Sequence, residues 1–68
     1  MSESIKESEL RIWRTTLGDE DRRFNEPEHL RGELYGHAKT LARLDIIDLF
    51  ELRELIAVAD TACNHQAG

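Results

Sequence analysis

The chain has 68 residues, with 14 acidic and 9 basic side chains and a formal net charge of −5. This length predicts one small domain, residues 1–68, near the lower limit for a self-sufficient core, and the acidic balance argues against binding nucleic acid through its phosphates. A single cysteine, Cys63, excludes an internal disulfide, and no apolar run approaches the roughly 20 residues that span a bilayer, so we expect a cytoplasmic protein without a membrane segment.

The first predicted helix covers about residues 4–17. Ser4 and Glu7 have the spacing of a capping box, and Gly18 is placed to end the helix. Its apolar residues cover a broad arc rather than a narrow stripe, so this helix is expected to attach less firmly than the others. Residues 18–25 are predicted to form a polar connection, in which Phe24 packs against the start of the next helix.

Two further helices are predicted at about residues 26–43 and 49–64. Asn25 with Glu28 forms a second capping-box pattern, and Pro27 suits the first turn of a helix. Asp48 with Glu51 forms a third box, which opens the last helix. Together these signals, without any strand pattern, predict an all-α fold.

The connection at residues 44–48 contains Ile46 and Ile47, which are expected to close one end of the core. Beyond the last helix, residues 65–68 are expected to fray.

Apolar residues at heptad spacing follow both of these helices. The stripe positions are Leu30, Leu34, His37, Leu41 and Leu44 on the earlier helix, and Leu49, Leu52, Ile56, Ala59 and Cys63 on the later one. Such spacing is typical of packed helices, and the short connection predicts an antiparallel αα-hairpin. The last helix is apolar well beyond its stripe, so we expect two hairpins to pair as a homodimeric helical bundle. The alternative is a monomeric three-helix bundle.

Several residues outside the stripes are candidates for an interaction surface. Gly32 and Gly36 lie opposite the leucine stripe, and each interior glycine costs a helix about 1 kcal/mol relative to alanine. They indicate either close approach of another helix or tolerance on a solvent-exposed face. Three aromatic residues could anchor a partner. The candidate surface therefore comprises Trp13, Gly32, Tyr35, Gly36 and Phe50.

His37 occupies a stripe position where an apolar residue is expected. It is interpreted either as a pH-sensitive or register-setting position, or as a partly exposed histidine at the edge of the bundle. The other metal-ligand side chains are His29, Cys63 and His65, and none has the spacing of a zinc motif. No nucleophile–base pair or phosphate-binding loop is present, so we predict no catalytic, cofactor or metal site.

These observations favour a non-catalytic protein–protein interaction module, such as a regulator, adaptor or inhibitor, with a protein partner of unknown identity. The alternative is a nucleic-acid-binding regulator that uses a local basic patch. Its candidates are Arg22, Arg23, Arg31, Lys39 and Arg43. The hairpin architecture resembles plasmid copy-control RNA-binding proteins and small secretion co-chaperones, but only in fold, and no motif residues are shared.

Overall fold

The computed structural model describes residues 4–64, with side chains from residue 4 to residue 63. Over this range the chain forms four helices. They are α1 (Ile5–Leu17), α2 (Glu20–Asn25), α3 (Pro27–Arg43) and α4 (Leu49–Asn64). The prediction of an all-helical fold is confirmed for this part of the chain, while residues 65–68, for which fraying was predicted, lie outside it.

Two of the predicted capping boxes are present. At the start of α1, the Glu7 amide donates to the Ser4 hydroxyl at 3.1 Å, and the Ser4 amide donates to the Glu7 carboxylate at 3.2 Å. Before α4, Asp48 and Glu51 exchange the same two bonds at 2.8 and 3.0 Å. Each box satisfies amides that have no partner within the helix, which is why both helices begin where the sequence indicates.

The segment between α1 and α3 differs from the prediction, because it contains the short helix α2. Asp19 caps this helix by accepting from the Arg22 amide at 3.3 Å. The predicted box of Asn25 with Glu28 is wrong, since Asn25 ends α2 and Glu26 precedes α3 without a side-chain cap bond. Pro27 at the first turn of α3 explains this start, because a proline disfavours helical conformation in the residue before it.

Phe24 also differs from the prediction. Its side chain is 71% exposed on α2 and does not pack against the start of α3.

The core brings together side chains from α1, α3 and α4. Its buried members are Trp13, Leu30, Leu34, Ala59 and Cys63. The largest interface between helices is that of α3 with α4, and α1 packs mainly on α3. The indole N–H of Trp13 donates to the Leu34 carbonyl at 3.0 Å, which fixes α1 to its own chain.

The heptad stripes leave the core at the ends that face the α3–α4 connection. Leu44 is 62% exposed and Leu49 is 73% exposed, although both were predicted in the packed stripe. On α3, Ala38 is buried and His37 is only partly buried. A straight helix has 3.6 residues per turn, so a 3.5-residue repeat drifts by about 20° per heptad. Leu44 is two heptads from Leu30, and the drift carries it away from α4.

Residues 44–48 form the short connection between α3 and α4. Asp45 has φ of 61°, in the left-handed region, and directly follows the C-cap residue Leu44. The Ile46 amide donates to the Leu41 carbonyl at 2.9 Å, and the Asp45 amide donates to the Ala42 carbonyl at 3.0 Å, which is the Schellman pattern. Ile47 is buried, as predicted, and Ile46 is half-buried.

Candidate interaction surfaces

The outward side of α4 is an exposed strip of mixed character, which we call the α4 face. It consists of Phe50, Arg53, Glu54, Ala57, Val58 and Thr61, all exposed. These positions recur every three or four residues, so at about 100° per residue they share one side of the helix. The opposite side carries Ala59 and Cys63 into the core. The α4 face is therefore largely exposed to solvent in the single chain.

Three surface depressions follow the α4 face, of which the one nearest the C-terminus of α4 is lined by Ala57, Val58, Thr61 and Ala62. The other two involve its N-terminal half. One is lined by Phe50, Arg53, Glu54 and Ala57. The other lies between α4 and α1. Its lining residues are Trp13, Arg14, Leu17, Glu54, Leu55, Ala57 and Val58. Apolar side chains of a partner could enter these depressions, because aliphatic and aromatic carbon forms much of their walls.

A second exposed apolar region lies at the end of the bundle that contains the α3–α4 connection, which we call the loop end. Its large exposed residues are Ile5, Leu44, Leu49 and Phe50. The start of α1 is held at this end by an ion pair between Lys6 and Glu51. This contact raises the pKa of Lys6 and lowers the pKa of Glu51, each through the hydrogen bond between them first. Several large apolar side chains are thus exposed within one region of a small molecule.

The two predicted glycines lie on an open surface of α3. Gly32 and Gly36 are exposed, and a methyl group added at either position would meet no heavy atom within 4 Å. No helix of the described chain approaches them. As far as residues 4–64 show, the glycine face is open to solvent, and within this range no close approach requires the two glycines.

Tyr35 is half-buried between α3 and α4. Its hydroxyl donates to the Asp60 carboxylate, and this hydrogen bond, followed by burial, raises the pKa of the phenol. The ammonium of Lys39 lies 6.0 Å from the centre of the Tyr35 ring. Tyr35 thus links two helices within the chain and presents only part of its ring to solvent.

Trp13 does not lie on an exposed surface, which corrects the prediction that placed it there. Its side chain is 1% exposed and belongs to the core. Sequence spacing carried a signal for this position, because Leu10 and Leu17 lie one turn away on either side and mark the same side of α1. Of the predicted surface residues, Phe50 is the aromatic side chain that is largely exposed, at 73%.

The candidate basic patch is dispersed. Arg22 on α2 pairs with Glu33 at 2.5 Å, and its hydrogen bond lowers the pKa of that carboxyl. Arg23 lies 3.9 Å from Glu20, whereas Arg31, Lys39 and Arg43 follow one another along α3. At 1.5 Å of rise per residue, about 18 Å of helix separates positions 31 and 43. The structure does not gather these cations into one continuous strip.

His37 lies at the junction of α1 and α3 rather than within the packed stripe. Its Nε2 atom is 2.8 Å from a carboxylate oxygen of Glu9, and about a quarter of its side chain is exposed. This position matches the interpretation of a histidine at the edge of the bundle.

Metal-ligand side chains are scattered over the described residues. Between residues 4 and 64, no three histidine, cysteine or acidic side chains come together as they would around a metal ion. Cys63 is a free, buried thiol, and His65 lies outside the described range.

Comparisons with family models, curated proteins and solved structures found no match to this chain. None of the helices that the structure describes combines the length and the apolar character needed to cross a membrane. The candidate surfaces therefore have to be interpreted from their own chemistry.

Proposed function

We propose that this protein is a small, acidic, non-catalytic interaction module that acts as a helical homodimer. In this proposal, α3 and α4 form an antiparallel hairpin that pairs with the hairpin of a second copy, and the dimer presents the remaining surfaces to a larger protein. We further propose that it works in the cytoplasm as a regulator, adaptor or inhibitor.

The observation that carries the proposal is the amount of large apolar surface left uncovered around α4. Phe50 and Leu49 are each 73% exposed, and Val58, about two turns further along α4, is 46% exposed. A large exposed apolar area on a small soluble protein is characteristic of a contact site. An aromatic residue such as Phe50 is also the kind of side chain that contributes most to binding when it is buried in an interface.

Charge supports a protein partner rather than nucleic acid. The chain has a net charge of −5, and the guanidinium of Arg22 on α2 is already paired with the Glu33 carboxylate within the chain. A negatively charged module associates faster with a basic surface and is repelled by phosphates. The nucleic-acid alternative would require affinity for RNA or DNA that weakens steeply with salt, and we expect no binding at low salt.

Sedimentation at micromolar concentration tests the homodimer, with a mass near twice 7.9 kDa as the expected result. The variant Phe50→Ser should weaken self-association or capture of a partner from cell extract. Phe24→Ser is a matched control, because Phe24 has nearly the same exposure but lies on α2. A monomeric wild type that also captures nothing from extract would contradict the proposal, and so would equal effects of the two variants.

A further inference from the structure

We propose that the α4 face is the homodimer contact, and that two α4 helices pair side by side in a parallel, two-fold arrangement with Arg53 of each copy facing Glu54 of the other. This inference rests on the proposed homodimer and specifies which surface, orientation and residues form it. The proposed contact is made by α4 residues that are exposed in the single chain.

The centre of the α4 face suits close contact between two copies. Phe50 and Ala57 are seven residues apart and form the middle line of the face, as successive positions of a heptad do. Ala57 is small enough to let two helices approach, while Phe50 and its counterpart would cover each other. Thr61 continues the same line by one further turn.

The flanks of the face have opposite charge. Arg53 lies about 50° to one side of the middle line and Glu54 about 50° to the other, given about 100° per residue. Both side chains are exposed, and neither takes part in the ion pairs found among the described residues. The face therefore carries an unused positive charge on one flank and an unused negative charge on the other, at almost the same height along the helix.

This charge pattern selects the orientation. In a parallel two-fold pair, the left flank of one helix meets the right flank of its partner, so two Arg53–Glu54 pairs form at once. In an antiparallel pair each flank meets itself, and the only acid on the Arg53 flank is Asp60. That carboxylate already accepts the hydroxyl of Tyr35 within its own chain. The parallel arrangement thus satisfies both free charges without breaking an internal contact.

A parallel pair also brings the two loop ends together. Leu49 and Phe50 of both copies then lie at the same end of the assembly, which extends the apolar contact beyond the middle line. One symmetric contact would thus cover the α4 face and bring the exposed α4 residues of the two loop ends together.

Charge reversal with complementation tests the proposal. We expect Arg53→Glu and Glu54→Arg each to raise the dissociation constant of the dimer about ten-fold or more, because each turns two attractive contacts into two repulsive ones. An equimolar mixture of the two variants should restore a dimer near the wild-type affinity. In the mixed dimer, the carboxylate introduced at position 53 of one chain faces the guanidinium introduced at position 54 of the other. Sedimentation of each variant and of the mixture, with circular dichroism to verify folding, provides the readout.

Arg43→Glu and Glu28→Arg are the matched controls, because they make the same charge changes at exposed positions of α3 and should leave the dimer intact. A wild-type monomer would contradict both the homodimer and this contact. A wild-type dimer that persists in both α4 variants, or that is lost in the α3 controls, would place the contact elsewhere while preserving the homodimer. Loss without restoration in the mixture would overturn the parallel orientation.

Discussion

Replacing Gly32 and Gly36 by alanine should stabilise the folded chain. Both residues lie in the interior of α3, and an added methyl group at either position has open space around it. Alanine is favoured over glycine inside a helix by about 1 kcal/mol, because it restricts the unfolded backbone and exposes less of the helical backbone to water. No steric term opposes this gain, so we expect about 1 kcal/mol for each single variant and about 2 kcal/mol for the double variant.

Urea unfolding followed by circular dichroism measures the change in the free energy of unfolding directly. In a thermal scan of a domain of this size, about 2 kcal/mol corresponds to a rise of roughly 8–16 °C in the melting temperature. Gly18→Ala is a control, since Gly18 is the C-cap of α1 with φ of −80°, outside any helix interior. Its change should stay within about 0.5 kcal/mol.

Unchanged or reduced stability of the double variant would refute the reasoning, because it would mean that the glycine face is covered in solution. Repeating the measurement over a range of protein concentrations would then show whether a second copy provides the cover. If a different protein uses this face, the same variant should be more stable and bind that protein less tightly.

Three further predictions concern the turn, the core and the acid response. Asp45 has a left-handed backbone and a negative charge at the C-terminus of α3, so Asp45→Gly and Asp45→Asn should each stabilise by about 0.5–1 kcal/mol, whereas Asp45→Ala should destabilise. Equal unfolding midpoints for the glycine and alanine variants would contradict a left-handed residue 45. Trp13→Phe removes the hydrogen bond to Leu34 and part of the core volume, and should cost about 2–3 kcal/mol in urea unfolding; a loss below about 0.5 kcal/mol would argue against the buried indole. The folded-state pKa values of Glu33 and Glu51 are lowered, so their contribution is present above the unfolded carboxyl pKa, about 4.3, and is lost as pH falls through the lowered values. Unfolding measured between pH 7 and pH 3 should therefore show a smaller acid-induced loss for Glu33→Gln combined with Glu51→Gln than for the wild type, and parallel curves would contradict this.

The helix boundaries were predictable because local signals control them. The Ser4–Glu7 and Asp48–Glu51 boxes each satisfy free amides within one turn, and the structure contains both. The sequence signals considered did not predict α2, although Asp19 caps it. Pro27 shifted the start of α3 because it disfavours helical conformation at Glu26. At this position the start of α3 is determined by Pro27 and not by the Asn25–Glu28 capping pattern.

The packing of side chains was less predictable, since it depends on geometry beyond a single turn. A strict heptad pattern placed Leu44 and Leu49 in the core, but both are exposed at helix ends, because a turn of 3.6 residues drifts away from a 3.5-residue repeat. The spacing of Leu10, Trp13 and Leu17 marks one side of α1, but the partner that buries Trp13 depends on how α1 packs on α3. Phe50, by contrast, was recognisable as a residue outside the stripes, and it is exposed.

The carboxylate of Glu51 has two partners, and this couples distant parts of the chain. It accepts from the Asp48 amide, which completes the N-terminal cap of α4, and it also pairs with Lys6 on α1. Detachment of α1 would release one of the contacts that orient this carboxylate and so loosen the first turn of α4. Helices that are far apart in sequence would then open as one cooperative unit, with hydrogen exchange at the two helix starts proceeding in step.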